Sequence, residues 1–79
     1  MKPSELIREC GWIQGRPGNR IMGYCIVGAV WYAYIDDKKT RKRIYERLCK
    51  NRGIAIEVWN DMQGRTQNEV VMLLESIGE

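Results

Sequence analysis

The sequence predicts an all-α protein, a small single-domain bundle of about four to five short helices around a central apolar helix, with residues 1–79 forming one unit. Three observations lead there. Residues 24–35 form a run of 12 residues that is apolar nearly all round. Residues 38–52 are strongly basic, with one narrow apolar stripe at Ile44, Tyr45, Leu48 and Cys49. Beyond Thr66 a capping-box signal leads into Val70, Leu73, Leu74 and Ile77, which recur at i, i+3, i+4 and i+7.

In chain order, Pro3 and Ser4 suit the start of a first helix whose apolar face is Leu6, Ile7 and Cys10. Gly11 suits the left-handed residue that ends it, which would bring Trp12 back against Ile7 as a structural anchor rather than a binding residue. Residues 14–23 hold three glycines, Pro17, Asn19, Arg16 and Arg20 and read as a loop without apolar periodicity. Arg16 and Arg20 are either solvated or placed to meet an anion or an acidic partner.

The run from Tyr24 to Ile35 follows, and it must be buried. Its length, with Gly28 and Ala29 to admit a close neighbour, favours a helix, while its β-branched and aromatic residues keep a strand in play. Cys25 falls near the N-terminus of that helix, where amides can stabilise a thiolate; with no histidine beside it, a buried inert thiol is the better reading. Asp36 and Asp37 offer an N-cap for the basic helix, and Gly53 its left-handed end. Residues 54–59 alternate like a strand, but a strand without a partner is unstable, so a short helix is expected.

The stretch from Trp59 to Val70 is the most distinctive locally. Met62, Gln63 and Gly64 form a turn, and Thr66 with Glu69 completes the capping box of the last helix. Asp61 and Arg65, four residues apart beside Trp59, read as an Asx-type turn and an ion pair rather than a polar reaction site.

Composition narrows the function classes. The chain is 44% hydrophobic and 29% charged, and its longest apolar run of 12 residues falls short of the roughly 18 a membrane span needs. Arg8 and Glu9 interrupt the N-terminus before any signal-like apolar stretch, so a cytoplasmic protein with no membrane partner is expected. Cys10, Cys25 and Cys49 are odd in number and widely spaced, which fits neither a disulfide framework nor a zinc pattern. There is no histidine, which removes the commonest general base and the commonest metal ligand. Neither an enzyme nor a cofactor or metal is expected.

Charge is the more informative property. Net charge is 0 over residues 1–37, +7 over residues 38–52 and −4 over residues 53–79. Lys38, Lys39, Arg41, Lys42, Arg43 and Arg47, with Lys50 and Arg52, are either a solvated helix face or a contact surface for nucleic acid or an acidic protein. The segment has few Asn, Gln, Ser or Thr side chains for base edges, so any nucleic-acid contact would be to phosphate.

Separated motifs carry a family resemblance: Gly11, Trp12, Gln14 and Gly15; Tyr24, Cys25, Gly28 and Ala29; then Trp59, Asn60, Asp61, Gly64, Arg65, Thr66, Glu69, Val70 and Leu73. Over residues 6–77 the chain resembles a family of small helical proteins of unknown function found in actinobacteria and their phages. The resemblance implies a helical fold and a bacterial or phage setting, and no substrate. The sequence departs from that family in a shorter first helix and a more basic middle helix.

The function expected from all this is a small non-enzymatic binding module of phage or mobile-element origin. It would bind and modulate a host protein through Arg16, Arg20, Lys38, Lys39, Arg41, Lys42, Arg43 and Arg47. The alternative is a nucleic-acid-binding protein making phosphate contacts through residues 38–52, and opposite charge in the two halves also admits a homo-oligomer. The motif residues Trp12, Cys25, Trp59, Asn60, Asp61, Arg65, Thr66 and Glu69 are assigned to the fold.

Overall fold

Helix-start chemistry and turn glycines divide the chain into five helices and one small antiparallel ribbon. In the computed structural model, which describes residues 1–79, these are α1 (Pro3–Cys10), β1 (Gly18–Asn19), β2 (Gly23–Tyr24), α2 (Ile26–Ala33), α3 (Lys38–Arg52), α4 (Ile56–Asp61) and α5 (Gln67–Ser76). The mainly helical class holds. Fourteen buried residues form one cluster to which α1, β2, α2, α3, α4 and α5 all contribute, with Ile7, Ile26, Ile44, Leu48, Ile56, Val70 and Leu74 wholly out of solvent. The radius of gyration, 11.0 Å, is that of a tightly packed chain of this length.

Residues 14–23 are not a featureless loop. Gly18 pairs with Tyr24 and Asn19 with Gly23 in antiparallel register. The Asn19 side chain closes the turn, its Oδ1 accepting from the amides of Ile21 at 2.9 Å and Met22 at 2.8 Å. No apolar alternation marks strands of two residues, so pattern reading had nothing to find. The segment after α1 joins the same patch, because Tyr24 N donates to Gly11 O at 2.9 Å and Ile13 N to Tyr24 O at 3.2 Å.

That strand-like path also changes the end of α1. Gly11 does take the positive φ expected of it, 98, but with ψ 173 it lies outside the left-handed helical region, so Trp12 does not fold back on Ile7 in a Schellman turn. It runs beside Tyr24 and packs on the core from there.

The apolar run is shorter as a helix than residues 24–35, because Tyr24 belongs to β2 and Cys25 caps α2. Nor is the run buried throughout. Ile26, Ala29 and Val30 are buried, whereas Trp31 is 54% exposed, Tyr32 41% and Ile35 56%. A domain this small has too few elements to surround one helix. Helix α2 touches α1, α3 and α4, and the side bearing Trp31 is left open.

The start of α2 meets the ribbon closely. Pro17 O accepts from Cys25 N at 3.1 Å, and a Cβ on Gly28 would lie 2.0 Å from that same oxygen. Only glycine admits the Pro17 carbonyl here. Helix α3 begins as the sequence implied, with Asp37 accepting from Thr40 N at 3.0 Å and Thr40 Oγ1 at 2.6 Å, and ends at Gly53 with φ 74. Within residues 54–59 a short helix does form, but only from Ile56 on: α4 is Ile56–Asp61, with Ala55 at its N-cap. The capping box of α5 is complete: Thr66 Oγ1 accepts from Glu69 N at 3.2 Å and Glu69 Oε1 from Thr66 N at 3.0 Å.

Two outcomes follow for stability. Gly28→Ala forces the Pro17 carbonyl off the start of α2 and is expected to cost at least about 2 kcal/mol, measured by urea unfolding; Gly53→Ala, which meets no neighbour but must hold φ 74, is expected to cost only about 1 kcal/mol. Hydrogen bonds from Thr40 hold the Asp37 carboxyl below its usual range, and those from Thr66 and Arg65 do the same for Glu69. A carboxyl lowered in the folded state stabilises above its unfolded pKa of about 4 and loses that stabilisation as pH falls through the folded value. Urea midpoints are therefore expected to drop below about pH 4, and Asp37→Asn is expected to flatten that acid limb.

Candidate functional site

The residues singled out from the sequence separate in space into two sets. One set converges on Asn60, which is completely buried near the end of α4. Asn60 Oδ1 accepts from Trp12 Nε1 at 2.8 Å and from Ile26 N at 3.0 Å. Asn60 Nδ2 donates to Ile13 O at 3.2 Å and to Asp61 Oδ1 at 2.9 Å. All four hydrogen-bonding positions of the carboxamide are thus used, and its orientation is set, since reversing it would point donors at donors.

Neighbouring groups extend this latch. Gln14 Nε2 donates to Asn60 O at 3.0 Å and Met62 O at 3.1 Å, and Gly15 N donates to Asp61 Oδ1 at 3.0 Å. Cys25 lies at the same junction, its Sγ accepting from Gly28 N at 3.2 Å. Burial pushes the Cys25 thiol up in spite of amide donation from Gly28 and Val27, the opposite of what an activated nucleophile needs. No three Cys, Asp or Glu side chains gather to hold a metal ion.

The predicted ion pair between Asp61 and Arg65 does not form. With Met62 extended and Gly64 at φ 86, the turn carries Arg65 back over Trp59, its guanidinium 4.0 Å from the ring centroid. Arg65 Nε donates to Trp59 O at 3.0 Å, and the guanidinium pairs with Glu69 at 3.0 Å, one helical turn on. Asp61 faces the ribbon loop instead. Spacing alone favoured the pair at i, i+4 within the turn, but the capping box places Glu69 at the same separation on the other side of Arg65.

The second set is the basic one. Lys39, Lys42, Arg43, Glu46, Arg47 and Lys50 line one shallow concavity, following i, i+3, i+4, i+7, i+8 and i+11 along α3. Over those residues the helix rises roughly 16 Å. The stripe lies opposite Ile44 and Leu48, which face the core. Neither salt bridge of the protein, Arg8 with Glu75 and Arg65 with Glu69, involves this helix.

The remaining predicted contact residues lie off the stripe. Lys38 and Lys42 line a hollow beside Trp31, so Lys42 borders both it and the stripe. Arg41 is half-buried, its guanidinium 4.2 Å from the Trp31 ring centroid and donating to Ile35 O, which commits it to holding the end of α2. Arg16 is exposed on the loop before β1, and Arg20, in the ribbon turn, faces Tyr32. Arg20 therefore reaches the far edge of the open face of α2, with α3 at the near edge. Trp31, Tyr32 and Ile35 were not among the candidate residues, because an apolar run in a sequence reads as core; the signal that was available was its excess length over what so small a core can surround.

Fold and latch together define a small, mainly helical protein in which a loop following the first helix is fastened to the start of the second and the end of the fourth. The chain belongs to a family of unknown function, DUF6197, whose model matches residues 3–78. No curated protein and no solved structure matches it.

Breaking the latch is expected to show in stability. Asn60→Asp removes both donors and sets a carboxylate beside Asp61, and a loss of about 3 kcal/mol or more is expected in urea unfolding. Trp12→Phe removes one donor and leaves Ile26 N on the Asn60 oxygen, so about 1–2 kcal/mol is expected.

Proposed function

We propose that this protein is a non-enzymatic binding module that engages and modulates an acidic host protein through the basic stripe of α3 and the arginine-bearing ribbon turn. The observation that carries this is the electrostatic make-up of α3. Lys38 with Lys42, Lys39 with Arg43, and Arg43 with Arg47 are like-charge pairs one turn apart, which destabilise an isolated helix. Lys38 and Lys39 also occupy the first turn, where the dipole favours carboxylates, and no acidic residue is present there. The fold gains little from these cations: only Arg47 among them reaches the backbone, at Ile77 O 3.5 Å away, the core takes Ile44 and Leu48 with part of Tyr45 and Cys49 from this helix, and no ion pair relieves the charge. An acidic partner would relieve them and would be steered to them at long range.

Similarity of the motifs to proteins of actinobacteria and their phages makes a phage or mobile-element product, acting on a host protein in the bacterial cytoplasm, the setting we infer. None of the helices is long and apolar enough to cross a membrane. Phosphate contact by the same run of cations, over residues 38–52, is the second reading, favoured by the unpaired stripe alone.

Affinity capture from a bacterial lysate, with and without nuclease, discriminates between them. The expected result is an acidic protein recovered in both arms, retained at low salt, and lost with the triple variant Lys39→Glu, Arg43→Glu, Arg47→Glu. Recovery that disappears with nuclease supports the phosphate reading, and equal recovery by the triple variant defeats both.

A further inference from the structure

The stripe supplies charge but no anchor, and the open side of α2 next to it supplies apolar surface with no charge of its own. Trp31 stands between two hollows. On one side Pro17, Val27, Tyr32 and Ile35 form a largely carbon-lined wall; on the other lie Lys38, Arg41, Lys42 and Tyr45. Tyr32 is further braced by Tyr24, their ring centroids 5.5 Å apart.

We infer that this Trp31 face is the anchor site of the partner surface, seating a large apolar side chain from an acidic amphipathic segment whose carboxylates meet Lys38, Lys42 and the α3 stripe. The inference rests on the proposed function and goes further by naming the anchor and the chemistry of the segment. Three features carry it. Trp31 is 54% exposed yet fixed in place, because Arg41 stacks on it at 4.2 Å while bonded to Ile35 O. An exposed aromatic already ordered loses little entropy on binding, which is the property of an interface hot spot. Second, the apolar face runs into the basic stripe through Lys42, so an occupant needs carbon at one end and negative charge at the other. Third, the carbon-lined side is poorly suited to reading a base, and the one carboxylate of the basic side, Glu57, is held at the wall by the Tyr45 hydroxyl at 2.7 Å. The carbon-lined side offers little to hydrogen-bond a base edge.

The test uses fluorescence anisotropy with labelled 12-residue probes: an amphipathic peptide of Asp and Glu with Phe and Leu on one face, the same peptide with Ser on that face, the same with Lys for the acids, and oligothymidylate. The acidic Phe/Leu peptide is expected to bind at least about tenfold tighter than the other probes. Trp31→Ser is expected to weaken that peptide by about tenfold or more and leave the Ser counterpart unchanged, with Trp31→Phe retaining most of the affinity. Circular dichroism checks that each variant keeps its fold. If Trp31→Ser changes nothing while the stripe triple variant weakens both acidic peptides, the anchor is refuted and the binding module stands. If neither variant affects any peptide, both fail. Oligothymidylate binding tighter than the acidic Phe/Leu peptide and lost with Trp31→Ser overturns the peptide anchor in favour of a base-stacking platform.

Discussion

Asn60 has no access to water, and its carboxamide is satisfied only if three parts of the chain arrive together. The indole of Trp12 and the carbonyl of Ile13 come from the segment after α1, the amide of Ile26 from the first turn of α2, and the carboxamide itself from α4. Each bond is modest against water, but an unmet polar group inside the protein costs far more than the bond returns, so the arrangement is close to all-or-none. Much of the remaining geometry follows from it. With Trp12 directed to Asn60, residues 11–13 lie alongside Tyr24. With the amide of Ile26 on Asn60, α2 begins where the Pro17 carbonyl approaches Gly28.

A latch of this kind suits a chain whose core is thin. Fourteen buried residues stabilise the fold without encircling any one helix, and directional polar contacts fix what apolar packing alone would leave free to slide. The Arg65 guanidinium does the same at the other corner, stacking on Trp59 while bonded to its carbonyl and to Glu69. The motif residues singled out in the sequence, such as Trp12, Asn60, Asp61, Arg65 and Glu69, fall largely on these two corners. Their spacing is accounted for by the fold, and the surface proposed for binding lies elsewhere, on α3 and the open side of α2.

Residues whose role is set by their immediate neighbours were readable in advance. Thr66 with Glu69, Asp37 before the basic helix, Gly53 after it and the stripe of Ile44, Tyr45, Leu48 and Cys49 are all local in sequence, and each appears as its chemistry dictates, although only Ile44 and Leu48 of the stripe are fully buried. The ribbon at Gly18–Asn19 and Gly23–Tyr24 was not readable, because two-residue strands carry no periodicity and are held by tertiary contact with residues 11–13. Arg65 illustrates the intermediate case. Two carboxylates, Asp61 and Glu69, lie four residues away on either side, and only the path of the turn through Met62 and Gly64 decides between them.

By itself the sequence determined the mainly helical class, the limits of the basic helix, the capped start of the last helix and the segregation of charge, since all of these are encoded in residue type and short spacing. The tertiary structure alone decided that Asn60 joins Trp12 to α2, that Asp61 turns to Gly15 rather than Arg65, and that Trp31, Tyr32 and Ile35 face outward beside the basic stripe. Those outcomes depend on residues dozens of positions apart and on how much surface so few helices can cover. An apolar side chain in a sequence says that burial is favourable; it does not say that the rest of the molecule is large enough to provide it.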